Sequence, residues 1–217
     1  FASQVYSSDQ QLIGTWNADN NNRVAIDYNG LSPHLVHALV ATEDERFYEH
    51  SGIDFIALGR VVVKRGVMGQ ASAGGGSTIT QQLAKQLFSE KAHSTVERLL
   101  QKPIEWIIAV KLERYFTKEE ILAMYFNYFD FLHNAVGIKR AANVYFNKEP
   151  RKLTVTESAM LVGLCKNPSM FNPLRHPERC LQRRNVVLMQ MVKSGYVTKA
   201  EYEELSHRPL GLHFTKV

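Results

Sequence analysis

Three carboxylates in a row, Glu43, Asp44 and Glu45, open a polar segment that continues through Arg46, Phe47, Tyr48, Glu49, His50, Ser51 and Gly52. Acids at the end of a helix face the negative pole of its dipole, so they work against stability there. Taking a proton, or meeting a cation, is one reason to keep them. An arbitrary acidic run is more often a solvated helix exit, and the segment alone leaves both readings open. A second candidate is Gly74-Gly75-Gly76-Ser77-Thr78-Ile79-Thr80-Gln81-Gln82-Leu83-Ala84-Lys85. Its glycines expose backbone amides and Ser77 or Thr78 can cap a helix, so N–H donors and a positive dipole end converge where an anion can sit. The plain alternative is a flexible loop leading into an amphipathic helix. It is not a nucleotide-binding P-loop, because Gly75, not lysine, follows the correctly spaced Gly69 and Gly74. Third, Arg98, Lys102 and Glu105 share one helical face, two cations around a carboxylate. By spacing alone that is also an ordinary salt-bridged surface. His50 by itself reads as a structural hydrogen-bonder, and no pair of histidines or cysteines has a metal-site spacing.

The elements that must hold these residues are mostly helical. Ser32 followed by Pro33 is a cap with proline at the first helical position, opening a helix through Leu35, Val36, Leu39 and Val40 that delivers the acidic run at its end. Capping boxes are expected at Ser94 with Glu97, Thr117 with Glu120, Thr154 with Glu157, and Thr198 with Glu201. The spacing predicts helices over Val96 to Phe116 with a kink at Pro103, Lys118 to Tyr128, Val155 to Cys165, and Pro177 to Ser194 with a stop at Gly195. Short strands are expected at Gln4 to Ser7 and Gln11 to Trp16 around the turn Ser8-Asp9-Gln10, and again over Arg23 to Tyr28. The organisation predicted is an N-terminal β segment or linker over 1–31 and a single domain over 32–217.

The chain has 217 residues, 45% hydrophobic and 22% charged, which excludes disorder and fibrous repeats. Its net charge of +5 and pI near 9.2 favour an anionic partner without specifying it. Cys165 and Cys180 fit neither a disulfide framework nor a metal site and read as packed thiols. The 19 uncharged residues from Gly66 to Ala84 are too rich in Gly, Ser, Thr and Gln to span a bilayer. The opening at Phe1, with no methionine and no signal sequence, leads us to expect an excised or processed fragment whose anchor or second domain lies elsewhere.

Taken together, the segments resemble the peptidoglycan glycosyltransferases of family 51. The resemblance rests on Ala41-Thr42-Glu43-Asp44-Glu45-Arg46-Phe47-Tyr48-Glu49-His50-Ser51-Gly52-Ile53-Asp54, on Gly75 to Lys85, and on Lys102 with Glu105 followed by Leu112-Glu113. Weaker matches are Lys118-Glu119-Glu120-Ile121-Leu122 with Tyr125 and Asn127, Gly137-Ile138 with Tyr145-Phe146, and Glu157 to Gly163 with Arg183-Arg184. Gln86 departs from a usual asparagine, Gln101 from an arginine that commonly precedes Lys102, and Phe131-Leu132 from a common Phe-Gly turn.

The resemblance implies a mainly α, lysozyme-like domain with a membrane-associated jaw and a small N-terminal β element. It implies lipid II and the growing glycan strand as substrates, an anionic membrane surface, and a covalently linked transpeptidase domain outside this chain, with no nucleic acid. It places the chain at the extracytoplasmic face of the bacterial cytoplasmic membrane. Glu43 matches the general base and Glu105 the second essential glutamate, on the leaving-group side. Asp44, Phe47, His50, Arg60, Gly76, Ser77, Thr78, Gln81, Gln82, Lys85, Arg98 and Lys102 match substrate-binding positions. Phe55, Ile56, Val61 to Val63, Val67 and Met68 resemble the membrane-dipping subdomain, the plain alternative being core packing. No tightly bound cofactor is implied; a divalent Mg or Mn ion held in part by Glu105 is the one metal considered. Independently of the family, a departing pyrophosphate is a weak base that needs cations rather than a general acid, and Lys85, Arg98 and Lys102 supply them. The competing readings are a lytic transglycosylase or glycosidase on a similar fold, and a non-catalytic membrane or nucleic-acid binding module.

Overall fold

Proline at the first helical position and a serine before it start α1 (Pro33–Glu43), where Ser32 Oγ accepts from His34 N at 3.3 Å and donates to Leu153 O at 2.9 Å. The computed structural model describes residues 3–6, 12–16, 24–63, 76–88 and 95–215, with backbone alone at 3–6, 12–16 and 95–100. It resolves into two compact units, one of residues 1–41 with 126–217 and one of 42–125.

The first unit begins with an antiparallel hairpin, β1 (Ser3–Tyr6) and β2 (Leu12–Trp16), pairing Ser3 with Trp16 and Val5 with Gly14. A third strand over Arg23 to Tyr28 is expected from the sequence, and in the described part residues 24–27 are instead irregular chain leading into a 3₁₀ turn at Tyr28–Gly30. The physical reason is a side chain that stands in for a neighbouring strand. Asn127 donates through Nδ2 to Ile26 O at 2.8 Å and accepts from Ile26 N at 3.1 Å, satisfying both backbone groups of Ile26. The core of this unit is built from α6 (Ile138–Phe146), α7 (Val155–Leu164) and α8 (Pro177–Lys193), with α9 (Lys199–Ser206) beyond them. From Glu157 to Leu164, α7 is buried on all sides, and its capping box joins Thr154 and Glu157, whose carboxylate also meets Lys148 Nζ at 2.8 Å. Arg184 is fully buried on α8 and donates to the carbonyls of Leu205, Ser206 and Pro209, placing a cation on the C-terminal end of α9. Cys165 and Cys180 are buried free thiols, and burial raises the Cys180 thiol to about 12.

The second unit carries α2 (Phe55–Val62), α3 (Ile79–Phe88), α4 (Thr95–Tyr115) and most of α5 (Lys118–Tyr128). α4 runs through Pro103, and α5 opens on the expected box, with Thr117 N donating to Glu120 Oε2 at 2.8 Å and Glu120 N to Thr117 Oγ1 at 3.2 Å. The box expected at Ser94 lies outside the described residues. α3 packs along α4, and its own start is a further capping box: Thr78 N donates to Gln81 Oε1 at 2.9 Å and Gln81 N to Thr78 Oγ1 at 3.1 Å.

Candidate active site

Glu43 is the last residue of α1 and is half-buried. Its Oε2 accepts a hydrogen bond from Gln82 Nε2 at 3.1 Å, and Gln82 Oε1 accepts from the hydroxyl of Tyr125 at 3.0 Å. The donor end of the amide therefore faces the acid, which is the arrangement an ionised carboxylate requires. Tyr125 lies on α5 with no exposed surface, so its oxygen is a fixed point for the amide.

Asp44 turns inward. Its Oδ2 accepts from Ile79 N at 3.0 Å, at the first turn of α3, and from His50 Nε2 at 2.8 Å. His50 Nδ1 in turn accepts from Gly52 N at 3.1 Å, which assigns the ring proton to Nε2. A buried carboxylate on free N–H groups of a helix start is stabilised by both the hydrogen bonds and the dipole. Asp44 and His50, matched to substrate positions, thus join the acidic segment to α3. Phe47 is fully buried beneath them, with the Lys118 ammonium 4.3 Å from its ring centroid, and presents no surface to a ligand. Lys118 also donates to His50 O at 2.7 Å and pairs with Glu113 at 2.8 Å, and Glu113 Oε1 accepts from Thr80 Oγ1 at 2.7 Å. Thr80, Glu113 and Lys118 fall within motifs read in the sequence, but their joining into one network was not expected there.

The same loop is pinned to α4. Gly52 has φ of +101°, and a Cβ there would lie 2.9 Å from the carbonyl of Ala109, one turn along α4 from Glu105. Thr78 Oγ1 donates to Gly52 O at 2.7 Å. Glu105 is 5% exposed, and the exposed Lys102 reaches it at 3.3 Å while also donating to Ser77 Oγ at 3.4 Å. Glu43, Gln82, Ser77, Lys102 and Glu105 are therefore linked through one helix, α3, and the turn that starts it.

The remaining candidates fall differently. Gly76 approaches α2 closely, with a Cβ there 3.0 Å from the Leu58 side chain. Gln81 is spent on the α3 cap. Lys85 and Arg60 stand exposed on α3 and α2, and neither forms an ion pair among the described residues. Arg98 lies on α4 but its side chain is outside the described ones. Residues 64–75, and with them Val67, Met68, Gly74 and Gly75, lie outside the described residues. Phe55, Ile56, Val62 and Val63 are exposed, so these four are surface rather than core. Among the described residues no three His, Cys, Asp or Glu side chains converge as metal ligands. Glu105 offers a single carboxylate, and it faces the Lys102 ammonium at 3.3 Å. Two signals would have found more: the Thr-x-x-Gln spacing of Thr78 and Gln81 is a capping box, and Tyr125 falls on the helix face that must meet α3.

An acid at a helix exit is thus bound by an amide of α3, whose start carries hydroxyls and meets Lys102 of α4. Residues 9–192 match the transglycosylase family model, and the chain belongs to that family, glycosyltransferase family 51. It is 43% identical over 96% of its length to penicillin-binding protein 1A of Aquifex aeolicus, of which it covers 28%. It is 42% identical over 90% of its length to penicillin-binding protein 1F of Bacillus subtilis, covering 27% of that protein, and 40% identical over 93% to penicillin-binding protein 1A of Escherichia coli, covering 23%. The chain thus spans about a quarter of the length of these curated relatives. Its fold is that found in the crystal structure of penicillin-binding protein 1A from Haemophilus influenzae, with a TM-score of 0.53 and 23% identity over 99% of this chain and 21% of that one. The mainly helical fold expected from the sequence is the fold observed.

Proposed function

We propose that this chain is a peptidoglycan glycosyltransferase that polymerises lipid II by inverting transfer. The observation that carries the reading is the linkage of Glu43 through Gln82 to α3, whose start meets Lys102 beside Glu105. Glu43 takes the proton of the acceptor GlcNAc 4-hydroxyl as that oxygen bonds to C1 of the donor MurNAc. The bond from C1 to the pyrophosphate oxygen breaks on the opposite face, and its electron pair leaves with undecaprenyl pyrophosphate. That charge is met by Lys102, with Lys85, Arg98 and Arg60 supplying further positive potential. Glu105 keeps the Lys102 ammonium in place. Asp44 and His50 act from below by fixing the start of α3. The substrate's lipid, the net charge of +5 and the exposed Phe55, Ile56, Val62 and Val63 favour work at the extracytoplasmic face of an anionic membrane. The likeness to penicillin-binding proteins about four times as long supports a linked transpeptidase domain.

Incubation with labelled lipid II followed by gel separation is the test. A ladder of glycan lengths is expected, absent in Glu43→Gln with the fold retained. Release of fragments from intact sacculi without any ladder would replace polymerisation by a lytic activity.

A further inference from the structure

We propose that Tyr125 is a positioning residue for Glu43 and acts through Gln82. The inference rests on the reading of Glu43 as general base and adds how that base is aimed.

A glutamine amide can present either end to a neighbour. With its carbonyl turned toward Glu43, two oxygens carrying negative charge would face each other; with its NH₂ turned toward Glu43, the carboxylate gains a donor. The Gln82 carbonyl needs a partner of its own if the second arrangement is to hold, and the Tyr125 hydroxyl provides it at 3.0 Å. Tyr125 is fully buried, so its oxygen does not wander, whereas Gln82 is only half-buried on α3 and has three torsions to fix. Donation into the carbonyl also polarises the amide and strengthens the N–H bond to Glu43 Oε2 at 3.1 Å. The chain of bonds therefore runs from the interior of α5, across α3, to the end of α1. It sets the rotation of the Glu43 carboxylate at the cost of one phenol that touches no substrate. A base displaced by a fraction of an ångström takes its proton less well, while a substrate held by other groups binds as before.

The experiment measures kcat and KM for lipid II polymerisation in Tyr125→Phe, Gln82→Leu and the double variant. Tyr125→Phe is expected to lower kcat about tenfold and Gln82→Leu about a hundredfold, each with KM within about twofold of the starting protein. Because one residue acts through the other, the double variant should be no slower than Gln82→Leu. Multiplying losses, or a loss in Tyr125→Phe confined to KM or to the melting temperature, would overturn the proposal. A second arm needs no turnover: the side-chain amide protons of Gln82, followed by NMR, should shift in Tyr125→Phe and in Glu43→Gln alike. If every protein including the unaltered chain fails to polymerise, the enzymatic reading fails while the amide shifts still decide the relay. Amide protons that ignore Tyr125→Phe would refute it.

Discussion

Single side chains divide into those that face the reaction and those that hold them. On the proposed reading Glu43 belongs to the first kind, and Glu43→Gln keeps the hydrogen-bonding shape while removing the proposed proton acceptor. Turnover should fall by about 10²-fold or more with little change in melting temperature. Asp44 belongs to the second kind. Its buried carboxylate serves both Ile79 N and His50, so Asp44→Ala leaves two donors without a partner and should cost about 2–4 kcal/mol, read as a lowered denaturation midpoint. Loss of activity in that variant should track loss of folded protein. His37 offers a test in pH. Burial, then the neighbouring His34, lowers its pKa from the ordinary 6.5, and its ring stacks on Tyr196 at 4.1 Å. A group that prefers its neutral form when folded contributes stability that is complete above 6.5 and is lost as pH falls below it. The difference in melting temperature between pH 7.5 and pH 5.5, about two units chosen to bracket the ordinary histidine range, should therefore shrink in His37→Phe.

At the level of elements, the site depends on how closely the loop after α1 approaches α4. Gly52→Ala must place a Cβ 2.9 Å from the Ala109 carbonyl at a φ of +101°, and both objections act together. A loss of about 3 kcal/mol or more is expected in chemical denaturation, with Glu105 displaced relative to Ser77. Much of this scaffolding was legible in the sequence. Ser32-Pro33 and the boxes at Thr117, Thr154 and Thr198 act within a turn, so the residues that set each helix start are adjacent to it. The acidic run at the end of α1 and the hydroxyls at the start of α3 were visible for the same reason. What was not legible depends on distant partners. Asn127 supplies the bonds that keep the chain near Ile26 from being a strand, and Tyr125 reaches Gln82 across 43 positions of sequence. The turn after Phe131 is intermediate: Leu132, His133 and Asn134 all have positive φ, of 67°, 51° and 61°. Glycine, which the resemblance expects at the place of Leu132, would adopt this left-handed backbone freely.

Over the whole molecule, charge and apolar exposure act in the same direction. On the proposed reading a net charge of +5 favours anionic lipid, but a cation held only by charge is released by salt. On α2, Phe55, Ile56 and Val62 are 72%, 57% and 69% exposed, on a helix that also carries the exposed Arg60. No helix among the described residues is long and apolar enough to cross a membrane. The exposed apolar side chains and Arg60 suit α2 to an interface, with the apolar groups among acyl chains and the arginine at headgroups. Each large side chain moved out of water contributes about 1.5–3 kcal/mol. Replacing Phe55 and Ile56 together by serine should therefore weaken binding to phosphatidylglycerol vesicles by at least about tenfold in flotation. The melting temperature should not fall, because these side chains are not packed in the protein. Raising the salt concentration should weaken both proteins, and more completely the doubly substituted one, which is left with attraction between charges alone. Equal flotation of the two proteins would mean that basic side chains account for membrane contact and that α2 stays in water. Turnover gives the complementary reading: with lipid II in vesicles the double variant should lose activity through KM, whereas with lipid II dispersed in detergent the two proteins should be alike.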